Sequence, residues 1–262
     1  MNTYQIHIDT ASAQTVTSSS ANSPGQPSIS KVDGNPFQCT VILGNRHRAI
    51  RSAALKDAQI PIGFCNIRDP YNTIVLNGVP YKMTPGFYSS INDVMTELNA
   101  AVPGAVGQFT LSSTNGLTPL SQYFLFVVGP NGGTVKMTVA PSSLGYLLGF
   151  TDGQSATNTN SIITAPRGFI INFDTYVSIW IGEVGTASLD PQQITYKVPI
   201  INNTYGTIIQ YAEGSNWEQK VIYTSRSNRL DRLTITVLDR FGNILNNNGI
   251  DWSFTLEIES DT

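Results

Sequence analysis

The feature that most constrains this chain is its punctuation. From Phe37 onward, short runs rich in β-branched and aromatic residues alternate with Gly, Pro, Asn and Asp. The clearest runs are 39–43, 73–76, 108–111, 123–128, 134–139, 169–181, 193–198, 207–211, 219–223, 232–238 and 252–258. Branched and aromatic side chains suit a pleated, half-buried surface, and the residues between the runs are those that turns require. The pattern predicts an all-β sandwich.

Period two is cleanest at the end of the chain. Trp252, Phe254, Leu256 and Ile258 share one face, and Ser253, Thr255, Glu257 and Glu259 the other. Leu233, Ile235 and Val237 form a second apolar face, and 239–243 turns the chain away from it. Asn248-Gly249 favours positive φ, so 232–238 and 252–258 read as antiparallel strands joined by turns. One segment reads as a helix: Ser90 is its N-cap, Asp93 stands at the third helical position, Ile91, Val94, Met95, Leu98 and Val102 recur at helical spacing, and Pro103-Gly104 ends it. A weaker helical turn covers 142–150.

These elements predict three regions. Residues 1–35 are an extended N-terminal arm, since 11–30 are Ser, Thr, Ala, Pro and Gly with almost nothing to bury. Tyr4, Ile6 and Ile8 are its apolar anchors, to be captured by a neighbouring molecule as an added strand. On this reading, deleting residues 1–30 leaves a folded subunit and weakens only assembly. Residues 36–70 and 151–262 form the sandwich, and 71–150 are a small α+β insertion between its strands.

Composition narrows the function. Charged residues are 13% of the 262, about half the roughly 25% of an average soluble domain, against 40% hydrophobic and 10% aromatic. The polar surface is therefore hydroxyl and amide, as in all-β proteins that pack against their own copies. With 15 basic and 18 acidic residues the net charge of −3 provides no field for a phosphate backbone, which argues against specific nucleic-acid binding. Neither a signal-like N-terminus nor an apolar stretch long enough to span a membrane is expected. Cys39 and Cys65 have no metal-ligand spacing and read as free thiols rather than a disulfide.

Chemistry is hard to find. His7 lies in the arm, and His47 sits between Arg46 and Arg48, whose charges disfavour its use as a base. No G-x-S-x-G elbow occurs, so acyl transfer is not expected. Glu183, Asp174, Glu213 and Glu218 are the acids from which a glycosidase pair would have to be drawn. The oxygen-rich stretches 239–243 and 247–251 read as turns rather than Ca²⁺ loops, and 129–133 as a hairpin turn rather than a phosphate loop. The sequence therefore predicts no enzyme, no catalytic residue, no metal and no cofactor. Arg46, His47 and Arg48 are candidate interface residues at a strand edge. Trp217, after the turn 214–216, is the candidate ligand-facing aromatic of a sugar-binding sandwich.

Several pieces resemble a known family. Residues 55–67, with Ala58-Gln59-Ile60-Pro61 and Cys65-Asn66-Ile67, are similar to a segment of the penton and minor capsid proteins of virophages, polinton-like viruses and large eukaryotic DNA viruses. The resemblance continues through Pro85-Gly86-Phe87-Tyr88 and the helix, then 147–150, 198–200, 206–211, 233–242 and 248–256. It implies a single jelly roll in an icosahedral capsid, most simply the penton: a homopentamer at the fivefold vertex that contacts major capsid trimers and other minor capsid proteins. It also implies a place in the virion, assembled inside the host cell. The major capsid proteins of these viruses carry two jelly rolls in a longer chain. Another minor capsid protein, and an attachment or carbohydrate-binding sandwich, are the alternatives.

Overall fold

The computed structural model describes residues 2–12, 14–16, 28–112, 123–131, 133–141, 143–172, 174–184, 196–200, 204–212, 220–222 and 229–261. Two compact units divide the chain. Met1–Phe64 and Asp174–Thr262 make the first, Cys65–Phe173 the second. In chain order the first unit begins with β1 (Asn2–Asp9), β2 (Gln14–Val16), β3 (Ser28–Val32), β4 (Asn35–Arg48) and β5 (Ile50–Pro61). The second holds β6 (Thr73–Leu76), β7 (Val79–Lys82), α1 (Ile91–Ala101), β8 (Gly107–Ser112), β9 (Tyr123–Val128), β10 (Thr134–Thr138), α2 (Leu144–Leu147), β11 (Ser155–Thr157) and β12 (Ile162–Thr164). The first unit resumes with β13 (Tyr176–Ile181), β14 (Tyr196–Pro199), β15 (Ile208–Ala212), β16 (Lys220–Ile222), β17 (Arg229–Leu238) and β18 (Ser253–Ser260).

The first unit is a two-sheet sandwich. One sheet runs β1-β18-β5-β15, with β16 also on β5, and the other runs β14-β13-β17-β4-β3-β2. All pairings are antiparallel except β2 with β3. The chain passes between sheets as it goes: β1, then β4, β5, then β13 and β14, β15, β17, β18. That winding, with β1-β18-β5-β15 facing β4-β17-β13-β14, is a jelly roll. The second unit is carried on the connection from β5 to β13.

Alternation builds the core. Phe254, Leu256 and Ile258 of β18 point inward with Ala53, Leu55, Ala58 and Ile60 of β5. From the other sheet come Cys39 and Val41, Leu233, Ile235 and Val237, Val177, Ile179 and Ile181, and Tyr196 and Val198. Trp252 stacks on Phe254 at 4.9 Å, meets Phe37 edge-on at 5.8 Å and donates its indole N–H to the Pro36 carbonyl at 2.7 Å. The buried indole therefore leaves no unpaired donor.

The inward residues of β5 change phase between Leu55 and Ala58 because the strand carries bulges. Thr255 faces Asp57 while Leu256 faces Leu55, leaving Lys56 unopposed; Glu259 faces Ser52 while Ser260 faces Ile50, leaving Arg51 unopposed. Both extra residues are cations with acidic partners across the strand: Lys56 with Glu257 at 2.9 Å and Arg51 with Asp261 at 2.7 Å.

Three expectations are corrected. Residues 2–9 do not extend from the subunit as an arm. They are the first strand of the jelly roll, in register with β18 from Asn2↔Ser260 to Asp9↔Ser253, and Ile8 is buried. The alternation of Tyr4, Ile6 and Ile8 is that of an edge strand with one face inward. Second, β17 and β18 are not paired with each other; they lie in opposite sheets. Third, the inserted unit is wider than 71–150, because β11 pairs with β10 and β12 with β9, drawing 151–173 into it.

The second unit has two small sheets, β11-β10-β6-β7 and β12-β9-β8, with α1 and α2. The expected helix is present with its capping box: Asp93 N–H donates to Ser90 Oγ at 3.2 Å and Ser90 N–H to Asp93 Oδ2 at 3.0 Å. These bonds, with that from the Ser89 hydroxyl, hold the Asp93 carboxyl below its usual range. Val94, Leu98 and Val102 are buried, as are Phe109, Phe124, Phe126 and Phe150. Phe109 lies 4.9 Å from Phe126 and 6.1 Å from Phe150. The stretch 129–133 is not a hairpin turn, since β9 and β10 belong to different sheets.

Candidate assembly surface

Glu183 Oε1 accepts the Thr234 hydroxyl at 2.8 Å, its other oxygen accepts the Thr234 N–H, and Arg232 approaches at 3.4 Å. Asp174 is buried, and Glu213 and Glu218 lie outside the described residues. Asp239 Oδ1 accepts the N–H groups of Phe241 and Asn243 at 2.8 and 2.9 Å, which makes 239–243 a closed turn. Asn248 and Gly249 take positive φ in theirs.

Among the described residues no three His, Cys, Asp or Glu come together as metal ligands, and none of the helices is long and apolar enough to cross a membrane. Both cysteines are free; burial pushes the Cys39 thiol up to about 12, while Cys65 is half-buried. A pocket of about 120 Å³ on the first sheet has Asp9 and Asp251 in its lining. Both carboxylates are already engaged, Asp9 by the Ala11 N–H at 2.9 Å, Asp251 by Thr10 at 2.9 Å and Lys31 at 2.5 Å.

The first sheet's outer side and its edges are built differently. The outer face of the first sheet is paired within itself: Lys220 reaches Glu259 at 3.0 Å, Ser52 donates to Glu259 at 2.6 Å, and His7 Nδ1 lies 3.2 Å from the Thr255 hydroxyl. The Ser52 hydroxyl, with Lys220 and Lys56 as further support, holds the Glu259 carboxyl below its usual range. Such a face offers a partner few unpaired groups.

The sheet edges differ. Thr10 N–H bonds to the Trp252 carbonyl at 3.0 Å, and hydrogen-bonded and non-bonded positions alternate along an antiparallel pair. Tyr4, Ile6 and Ile8 therefore share the ladder with β18, while Thr3, Gln5, His7 and Asp9 turn their N–H and C=O groups to the open side. These four side chains are exposed. At the other edge, Ile62 N–H bonds to the Thr207 carbonyl at 2.8 Å, so Ile208, Gln210 and Ala212 of β15 turn outward in the same way. All three are exposed, Ile208 at 53%.

Of the residues singled out in the sequence, Tyr4 and Ile6 are half-buried on the inward side of β1, and Ile8 belongs to the subunit's own core. Arg46, His47 and Arg48 end β4, with His47 opposite Leu230 and Arg48 opposite Arg229. The register with β17 breaks between there and Ile42, and Arg48 is exposed. Trp217 lies outside the described residues. The open edges were missed because they are a property of the backbone. Their sequence signal is an absence: neither 2–9 nor 208–212 contains a Lys, Arg or Pro.

No family model matches the chain, and no curated protein matches its sequence. Among solved structures it is similar to the mavirus penton protein, with 12% identity, a TM-score of 0.45 and all of both chains covered. It is also similar to a chain in the structure of the Sputnik virophage, with 9% identity, a TM-score of 0.41 and coverage of 99% of this chain and 98% of that one. The fold in hand is an all-β jelly roll with an inserted unit, and a penton and a virophage chain are among the solved structures it is similar to.

Proposed function

We propose that this chain is a structural protein of an icosahedral double-stranded DNA virus capsid: a penton whose copies form a homopentamer at the fivefold vertices and contact the surrounding major capsid trimers. The observation that carries the reading is the jelly-roll winding of the first unit. The pieces that resemble penton and minor capsid proteins are spread over both units. Residues 55–67 end β5 and enter the second unit, 85–88 lead into α1 and 147–150 close α2; 198–200, 206–211, 233–242 and 248–256 lie on or beside β14, β15, β17 and β18. The carboxylates of Glu183, Asp239 and Glu259 serve turns and ladders. The protein's place is then the virion, and its partners are its own copies and other capsid proteins.

Native mass spectrometry of the purified chain, at low and high salt, tests this. A species of five copies of the 28.4 kDa chain is expected. A trimer points instead to an attachment module, and a strict monomer contradicts a ring that closes by itself.

A further inference from the structure

A ring of identical subunits needs two different surfaces on each copy, one to meet the other on the next copy. From the edges of the first sheet we infer where these lie: β15 of one copy pairs antiparallel with β1 of its neighbour, continuing the β1-β18-β5-β15 sheet from subunit to subunit. This rests on the ring reading above.

Three observations converge on it. The first is direction. Each strand of the sheet is antiparallel to the next, so β15 runs opposite to β1. Copies set side by side in the same sense therefore bring β15 against β1 as an antiparallel pair.

The second is the contrast with other edges. Natural proteins blunt edges with Lys, Pro or a covering group. The edge strand β14 carries Lys197 and Pro199, and the edge strand β7 carries Pro80 and Lys82. The edge strand β8 is covered by a side chain: Asn99 of α1 accepts the Phe109 N–H at 2.7 Å and donates to the Phe109 carbonyl at 2.9 Å. Neither β1 nor β15 carries a Lys or Pro, and no described strand pairs with their outer sides; among the described residues a side chain covers the end of β1 alone, where the Ser12 hydroxyl donates to the Asp9 carbonyl at 2.8 Å.

The third is apolar surface. Tyr4 and Ile6 are only half-buried at the β1 edge, on the inward face, and the residues on that same face of β15, Ile209 and Tyr211, are already buried in the subunit's core. Antiparallel pairing sets these residues side by side between copies, extending the core of one sandwich toward the next.

Proline tests the edge without touching the subunit's own ladder, because it removes an N–H that points away from β18 or β5. Gln5→Pro and Gln210→Pro are each expected to keep the wild-type far-UV circular dichroism. Each is expected to weaken the oligomer at least about tenfold in dissociation constant, read by native mass spectrometry across a dilution series. A wild-type ring that both folded variants leave intact overturns the edge pairing while the ring reading stands; a wild-type chain that never assembles overturns both. If either proline variant unfolds, amide exchange of the wild-type ring decides. Slow exchange at Gln5, His7 and Gln210 on assembly supports the pairing, and unchanged fast exchange overturns it.

Discussion

The edges of β7 and β8 in the inserted unit and those of β1 and β15 in the sandwich are treated in opposite ways. In the inserted unit, Asn99 satisfies both outward groups of Phe109 on β8, and Pro80 with Lys82 makes β7 unsuitable for a further partner. Asn66 similarly holds the backbone of Tyr88, accepting its N–H at 2.8 Å and donating to its carbonyl at 2.9 Å. In the sandwich, no described strand pairs with the outer sides of β1 and β15, whose alternate N–H and C=O groups point away from the sheet; the Asp9 carbonyl, at the end of β1, accepts the Ser12 hydroxyl at 2.8 Å. An amide closes the β8 edge, whereas on the proposed assembly the backbone of β1 and β15 is itself what joins copies.

The largest effect expected on this contrast comes from removing β1. Deleting residues 1–12 takes away the buried Ile8 and bares the β18 ladder. One buried isoleucine alone is worth about 2–5 kcal/mol, so the thermal midpoint should fall by about 10 °C or more. A deletion variant that melts like the full chain would restore the detached-arm reading.

Next comes the packing of the inserted unit. Gly149 has φ +89, and a Cβ there would lie 2.1 Å from the Arg167 carbonyl oxygen. Gly149→Ala should cost about 2–4 kcal/mol, measured by urea unfolding. A loss below about 1 kcal/mol would mean that the contact yields easily.

Asn99→Ala sharpens the comparison directly. It strips the cover from Phe109 and should cost about 1–3 kcal/mol. It should also give the unit an open edge, seen as new concentration-dependent association by light scattering. If stability falls with no new association, edge closure is not what Asn99 provides.

The smallest effect concerns the self-paired outer face. The Glu259 carboxyl is held below its usual range by Ser52 and Lys220. Its contribution is present above the ordinary glutamate range and is lost as pH falls through the depressed folded value. Glu259→Gln should therefore flatten the acid limb of the stability profile slightly and leave assembly at neutral pH unchanged. A neutral-pH assembly defect would place this face in the contact.

Local features were legible in the sequence; winding was not. The α1 capping box depends on residues three apart, and the turn at Asn248-Gly249 on two neighbours, so each could be read from the chain alone. The central strand β5 was absent from the runs picked out by alternation, because the bulges at Arg51 and Lys56 shift its phase and an Ala- and charge-containing stretch hides the period of two. Residues 2–9 were misplaced for a different reason. Their partner, β18, lies at the other end of the chain, and nothing within the first dozen residues states that Phe254, Leu256 and Ile258 will complete their sheet. Tyr4 and Ile6 were identified as contact residues, but what the open edge offers most plainly is the backbone of their neighbours Thr3, Gln5 and His7.

Residue-resolved amide exchange on the isolated subunit tests the contrast most directly. The Phe109 N–H, held by Asn99, should exchange slowly, while the N–H groups of Gln5 and His7 exchange at nearly unprotected rates. Slow exchange at Gln5 and His7 in the monomer, or free exchange at Phe109, would contradict the division between closed and open edges.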